Sequence, residues 1–422
     1  MESIHDGIAI FPGASARTDD YPFQQNNDFF YFTGVEVPGA YLVVDGAAGE
    51  SALFLTLAED EARGEGIPLG LVHDPSHATG IPDVRPVSEL AGYLEQLQAD
   101  SRAFYTLFRP MELPRVNSTE QASAWQRTIT ENPWDGRLSR TMQFVERLRE
   151  TYEGVEVRDC SPMVWEMRKY KSPSEVDLIR RAARIAVEAH LELMRSAEPG
   201  VDEQALAALF EFICRRAGAQ DLAYYTIVMS GPNHPFGHYH RYDRMLEPGD
   251  FIILDAGPDF AYYNADVSTS FPASGRFSPL QRELYELAED LHQVCLRTYR
   301  PGITLRDVGT KIAEHLLEQG HDPQDPRFRS YTVWGGYNHP IGMATHDVMA
   351  SMTGPDEVLR PGFVFACDIN MPYDEEMGIR IEDTVVITED GCEVLSAGLP
   401  RSVAGIEALM REDGLLQHMD PR

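Results

Sequence analysis

FIILDAGPDFAYYNADVSTSF (residues 251–271) and FVFACDINMPYDEEMGIRIEDTVVIT (residues 363–388) decide the fold, because each reads as two strand-like runs around a turn, with an acidic residue on each arm. In the first, the stretch Pro258, Asp259, Phe260 reads as the turn, and folding about it sets Asp255 opposite Asp266. In the second, the turn falls around Asp374 to Gly378, and folding about Glu375 sets Asp368 opposite Glu382. Cross-strand neighbours carry their side chains about 5 Å apart on one face of a sheet. Two such carboxylate pairs repel one another and raise each other's pKa unless a cation lies between them. His339 falls between the two stretches, and the series Asp255, Asp266, His339, Asp368, Glu382 points to a hydrolytic site for two metal ions.

Working outward, Asp255 closes the apolar run Phe251–Leu254, where an ionised side chain is costly to bury uncompensated; its ordinary alternative is a strand-end turn residue. His339 and His346 stand seven apart in NHPIGMATHDV, and Pro340 and Gly342 speak for a loop in which the two imidazoles do different jobs. His238 and His240, in PFGHYHRYD, share one face if that segment is extended, and either could reach a substrate oxyanion. A lone histidine is more often a satisfied core residue, but these four of the 13 histidines all flank the two hairpins. Arg380 shares a strand face with Glu382 and is a natural counter-ion for crowded carboxylates. Carboxylate and imidazole donors suit a hard dication such as Mn²⁺ or Co²⁺, while the absence of paired cysteines speaks against structural zinc. No G-x-S-x-G, G-x-x-x-x-G-K-[ST], H-E-x-x-H or G-x-G-x-x-G occurs, so nucleotide-dependent chemistry is unsupported.

A chain of 422 residues is longer than one core usually supports, and two domains are expected, 1–165 and 166–422. The first reads as α/β, with strands at residues 7–11, 40–46, 51–57 and 103–108 and a helix at 87–98. The polar stretch from Pro110 to Asp135 reads as an insertion or arm, followed by a helix over 141–152. The second domain opens near Ser172, where Ser174-x-x-Asp177 reads as a capping box, and then runs helix pair, hairpin, helix pair, hairpin. That repeat predicts an α+β unit of two similar halves, each offering one carboxylate hairpin to a shared centre. The formal net charge of -31, from 67 acidic and 36 basic residues, argues against nucleic acid or an anionic membrane surface as partner. The start lacks an export pattern and the five cysteines are widely spaced, so a cytoplasmic protein with reduced thiols is expected.

These residues resemble a known family, the pita-bread metallopeptidases, and within it the Xaa-Pro aminopeptidases (aminopeptidase P). The likeness lies in ILDAG…NADVSTSF, the His339 to His346 spacing, GIRIEDTVVIT and the amino-terminal YPFQQNNDFFYFTGVEVPGAYLVV (residues 21–44). It implies an N-terminal α/β domain, a pita-bread catalytic domain with pseudo-two-fold halves, and two divalent ions, usually Mn²⁺. It implies that Asp255, Asp266, His339, Asp368 and Glu382 bind them, that His238 supports the tetrahedral intermediate, that His346 contacts the substrate carbonyl, and that Arg380 pairs with Asp255. The implied reaction uses a hydroxide held between the metals to hydrolyse the bond between a free N-terminal residue and a following proline in short peptides. Asp28, His240 and Tyr373 are expected on the substrate side, with Asp28 reaching a neighbouring subunit's site in a homodimer or homotetramer. The sequence departs from the family at four places: Asp368 replaces a glutamate, Pro372 a tyrosine with Tyr373 beside it, Gly335 an active-site histidine, and Thr269 an arginine. An Xaa-Pro dipeptidase, a metal-free hydrolase of the creatinase type and an inactive peptide-binding relative remain the alternatives.

Overall fold

The computed structural model describes residues 4–15, 22–98, 102–112, 118–348, 354–374 and 377–419. The chain forms two compact units, Met1–Met167 and Arg168–Arg422.

In the first unit the apolar runs become strands β1 (Ile8–Pro12), β2 (Tyr41–Asp45), β3 (Glu50–Phe54) and β5 (Phe104–Thr106), joined by the short β4 (Asp83–Arg85) and β6 (Val157–Asp159). They make one mixed sheet in the order β4-β3-β2-β1-β5-β6. Alternate side chains of β1 enter different cores: Ile8 and Ile10 pack with Val43, Phe54 and Phe104, whereas Ala9 and Phe11 pack with Leu42, Leu53 and Tyr105. Both faces of the sheet are therefore covered, as in an α/β layer structure. The run at 87–98 is a 3₁₀ turn followed by the helix Leu90–Gln98. Within the stretch from Pro110 to Asp135, residues 113–117 lie outside the described residues, and the rest contains a helix, Thr119–Glu131, capped by Ser118. That helix buries only Thr119, and Trp125 and Trp134 stand exposed.

The second unit has the repeated order that the sequence predicts. Helices Pro173–Ser196 and Glu203–Arg216 precede β7 (Asp221–Leu222), β8 (Ile227–Ser230), β9 (Phe251–Asp255), β10 (Pro258–Phe260), β11 (Tyr263–Asn264) and β12 (Ser268–Pro272). Helices Pro279–Thr298 and Leu305–Glu318 precede β13 (Val364–Pro372), β14 (Gly378–Ile387) and β15 (Cys392–Val394). The long first helix starts two residues earlier than the expected capping box: Ser172 caps it, Glu175 completes the box and Pro173 takes the first turn, where no N–H is needed. The main sheet runs β13-β14-β12-β9-β8 with β15 on β14, so the two hairpins meet at the β12–β14 pair in its middle. Helix Pro279–Thr298 packs on β13 and β14, and Glu203–Arg216 on β8. Phe251, Phe271, Phe363 and Phe365 fill the core between.

The second hairpin keeps the expected register, Asp368 opposite Glu382, although its tip residues 375 and 376 lie outside the described residues. The first does not. Asp255 pairs with Ser268, not Asp266, because Pro258–Phe260 is a strand and the turn lies at Ala261 and Tyr262, whose φ values of 52° and 70° are left-handed. Asp259 Oδ1 accepts the Tyr262 N–H at 3.0 Å and Gln220 Oε1 accepts that of Ala261, which holds a turn that contains no glycine. Just before it, Gly257 is indispensable, since a Cβ there would lie 1.7 Å from Ala265 O.

Candidate metal centre

Three pairings lay one row across the sheet: Asp255 opposite Ser268 (β9–β12), Ser268 opposite Glu382 (β12–β14), and Glu382 opposite Asp368 (β14–β13). Directly opposed residues share a sheet face, so three carboxylates from three strands point the same way. Ser268 fills the gap, its hydroxyl donating to Glu382 Oε2 at 2.7 Å. Asp266, two residues before Ser268, joins from the turn side; Thr384 pins its backbone, taking its N–H at 3.0 Å and donating to its carbonyl at 2.7 Å. Donor atoms of Asp255, Asp266 and Glu382 all lie within 4.8 Å of one another, as do those of Asp266, His339 and His346.

His339 sits in the expected loop. Its Nε2 lies 3.4 Å from Asp266 Oδ2 and 3.6 Å from Glu382 Oε1, while Nδ1 faces Thr345 O at 3.1 Å. That second contact favours a proton on Nδ1 and leaves Nε2 as the ligand atom. His346 stacks on His339 at 3.8 Å between ring centroids. Burial first, then the neighbouring His339 and His238, pushes its pKa down to about 2, so it is neutral. The next residue, Asp347, is buried and clamped by Arg168 and by Lys171 Nζ at 3.3 Å, which fixes the end of the loop.

Without an ion the centre holds too much negative charge. Burial, then Glu382 and Asp255, pushes Asp266 up to about 8, and burial and Glu382 push Asp368 well above the carboxylate range. Two groups the chain supplies relieve part of this. Arg380 is buried and donates from Nη1 to Asp255 Oδ2, as its strand position predicts. Tyr224, which the sequence gives no reason to single out, places its hydroxyl between Asp255 Oδ1 and Asp266 Oδ1. Among the centre's carboxylate oxygens, Asp368 Oδ1 is buried with no hydrogen-bond partner. An orphaned carboxylate oxygen beside three more carboxylates and an imidazole is what hard divalent cations require, so the residues present fit the metals the sequence implies.

The remaining expected residues are placed less uniformly. His238 is exposed on a loop of turns, close enough to influence His346. His240 is exposed too; it stacks on Tyr225 at 5.3 Å and its Nδ1 lies 3.0 Å from His238 O, and the segment is not a strand. Tyr373 lies past the end of β13 with 42% of its surface exposed, within electrostatic reach of Arg327. Asp28 lies away from the centre's strands, in α-helix Asn27–Thr33. It is 1% exposed inside the first unit, where Arg109 donates to Oδ2 at 2.6 Å and also pairs with Glu112 at 2.8 Å. Two departures from the family have local causes. Gly335 ends a helix at φ 73°, where a Cβ would meet Leu305 O at 2.7 Å, and Thr269 points to the sheet face opposite Ser268, toward His190 Nδ1 at 3.0 Å.

A row of buried carboxylates joined by one imidazole defines a metal-dependent hydrolase centre of the oxygen-donor kind. Residues 177–389 match the model of Metallopeptidase family M24, and residues 1–105 that of the aminopeptidase P N-terminal domain. The chain belongs to metallopeptidase family M24, and its second unit has that family's pita-bread fold. Among relatives, the mitochondrial Intermediate cleaving peptidase 55 of Arabidopsis thaliana is 29% identical over 96% of this chain and 79% of its own. The Xaa-Pro aminopeptidase of Escherichia coli (strain K12) is 29% identical over 97% of this chain and 95% of its own. Aminopeptidase P from E. coli, solved with the inhibitor Pro-Leu, superposes with a TM-score of 0.75 at 27% identity, covering 96% of this chain and 94% of that one. Among the described residues no helix is long and apolar enough to cross a membrane.

Proposed function

We propose that this metallopeptidase is an Xaa-Pro aminopeptidase that releases the N-terminal residue from short peptides with proline second, in the cytoplasm and as a homodimer or homotetramer. The observation that carries the reading is the four-carboxylate centre with its orphaned Asp368 oxygen, set in a chain similar over nearly its whole length to the E. coli Xaa-Pro aminopeptidase. Asp255, Asp266, His339, Asp368 and Glu382 would hold two ions, Mn²⁺ being our choice for its affinity for oxygen and imidazole donors. When bound, the ions supply an activated water and positive charge for the substrate carbonyl.

The chain's own groups do the rest. Arg380 holds Asp255 in orientation, and Tyr224 spaces Asp255 from Asp266. His238, free and exposed at the rim, donates to the oxygen that gains charge as the peptide carbonyl becomes tetrahedral, and neutral His346 orients that carbonyl. A free substrate amine is drawn to the acidic centre. A prolyl nitrogen carries no N–H, so a site that offers it no acceptor loses nothing by binding it. The test is metal content by elemental analysis beside hydrolysis of an Xaa-Pro-Xaa tripeptide and an Xaa-Pro dipeptide, with and without Mn²⁺. Near two ions per chain and metal-dependent release of the first residue from the tripeptide support the reading. Cleavage of the dipeptide alone makes the protein a dipeptidase, and no cleavage at saturating Mn²⁺ removes peptidase function.

A further inference from the structure

The loop that carries His238 is tied to the sheet by a second histidine. Residues 231–238 (GPNHPFGH) follow β8 as a series of turns, and a segment with two glycines and two prolines has little of its own to hold His238 in one place. Three ties supply the restraint. Asn233 Nδ2 donates to Glu203 Oε1 at 3.0 Å, and the fully buried Glu203 also takes the Ser230 N–H at 3.1 Å. Gly237 O accepts from Arg380 Nη2 at 3.2 Å. Between them lies His234, whose Nδ1 accepts the Gly378 N–H at 2.7 Å and whose Nε2 faces Phe251 O at 2.9 Å.

The chemistry of those two partners leaves the ring no choice. A backbone N–H only donates and a carbonyl only accepts, so the imidazole must be neutral with its proton on Nε2. Burial, which pushes the His234 pKa down, works in the same direction. Phe251 begins β9, which ends at Asp255, and Gly378 begins β14, which carries Arg380 and Glu382. One ring therefore joins the His238 loop to the starts of both strands that deliver the central carboxylates.

We propose that His234 is a positioning residue: a neutral, two-sided imidazole clasp that holds His238 in register with the carboxylate hairpins. This rests on the peptidase reading only for the task given to His238; the clasp is a hydrogen-bond arrangement observable without substrate. His234→Ala removes both bonds, whereas His234→Asn puts Oδ1 close to the place of Nδ1 and keeps an acceptor for Gly378. On the Mn²⁺-loaded protein and an Xaa-Pro-Xaa tripeptide, the alanine variant should lose roughly 10- to 100-fold in kcat, the scale of a misplaced catalytic group. KM should shift by less than about threefold and metal content should not change, because no ligand is touched. His234→Asn should recover most of the loss. In ¹⁵N-histidine spectra of the diamagnetic Zn²⁺-loaded protein, the ring that disappears in His234→Asn should be the Nε2–H tautomer.

An imidazolium or an Nδ1–H tautomer at pH 7.5 overturns the clasp, and so does full kcat in His234→Ala. An alanine variant that loses kcat and metal together, or one that asparagine fails to rescue, also overturns it, since His234 would then be a general stabiliser. If the wild type cleaves no peptide, the peptidase reading fails, and the tautomer still decides the clasp.

Discussion

Loading this centre with metal at neutral pH should expel protons. In the metal-free chain burial and Glu382 push the Asp368 pKa well above the carboxylate range, which favours its protonated form. Asp266 and His339 share another proton. Asp266 is raised to about 8, and for His339 burial is outweighed by bonds to Asp266 and Glu382, so its pKa is raised as well. Metal ligands bind deprotonated, so about two protons per chain should leave when the ions enter. Calorimetric titration with Mn²⁺ at pH 7 in phosphate and in Tris separates buffer ionisation from binding, and the dependence on buffer enthalpy reads the protons directly. The same shifts make the metal-free protein sensitive to pH. The Asp266 pKa is higher in the folded chain than its ordinary value of 3.8, so its contribution to stability is complete below pH 3.8 and is lost as pH rises toward 8. Over the span from pH 5 to pH 8 a pKa raised to about 8 forfeits upward of two units, about 3 kcal/mol. At roughly 2–4 °C per kcal/mol for a unit of this size, the metal-free melting temperature should fall by about 6–12 °C between pH 5 and pH 8. The Mn²⁺-loaded protein should not show the fall. A buffer dependence near zero, or parallel pH profiles with and without metal, would refute the reasoning, because these carboxylates would then be ionised before any metal arrives.

Two substitutions test other parts of the centre. Arg380→Met leaves the Asp255 carboxylate buried without its cation, a change that costs about 3–5 kcal/mol when one member of a buried pair is removed. Urea denaturation of the metal-free protein should show it, and a loss below about 1 kcal/mol would mean that Tyr224 alone satisfies Asp255. Gly335→His supplies the histidine many relatives carry, but its backbone is left-handed and its Cβ would crowd Leu305 O, so destabilisation by about 1–3 kcal/mol and no gain in peptide hydrolysis are expected. A stable, faster variant would show that the loop can re-form around a side chain at this position.

How much of the centre could be read from the residues depended on whether each turn announced itself. The Asp368–Glu382 pairing was legible because β13 and β14 run unbroken for nine and ten residues, so the midpoint between their ends sets the register whatever the tip does. The Asp255 hairpin is interrupted by the small β10–β11 pair, and its real turn uses Ala261 and Tyr262 in a conformation usually given to glycine or asparagine. Pro258 and Asp259 looked like the turn and are not, and that one misplaced centre displaced Asp266 by two residues and hid Ser268. Tyr224 was illegible for another reason. In LAYYTIV it reads as ordinary apolar core, and only three-dimensional proximity reveals a hydroxyl between two carboxylates. Asp28 came from the family resemblance alone, and its partner Arg109 lies 81 positions away, where no local pattern could nominate it. The five candidate ligands were easier to nominate because they had to agree with one another. An isolated acid has a structural partner somewhere more often than it has a task, whereas several acids on facing strands need protons, an arginine such as Arg380 or a cation, and the orphaned Asp368 oxygen favours the cation.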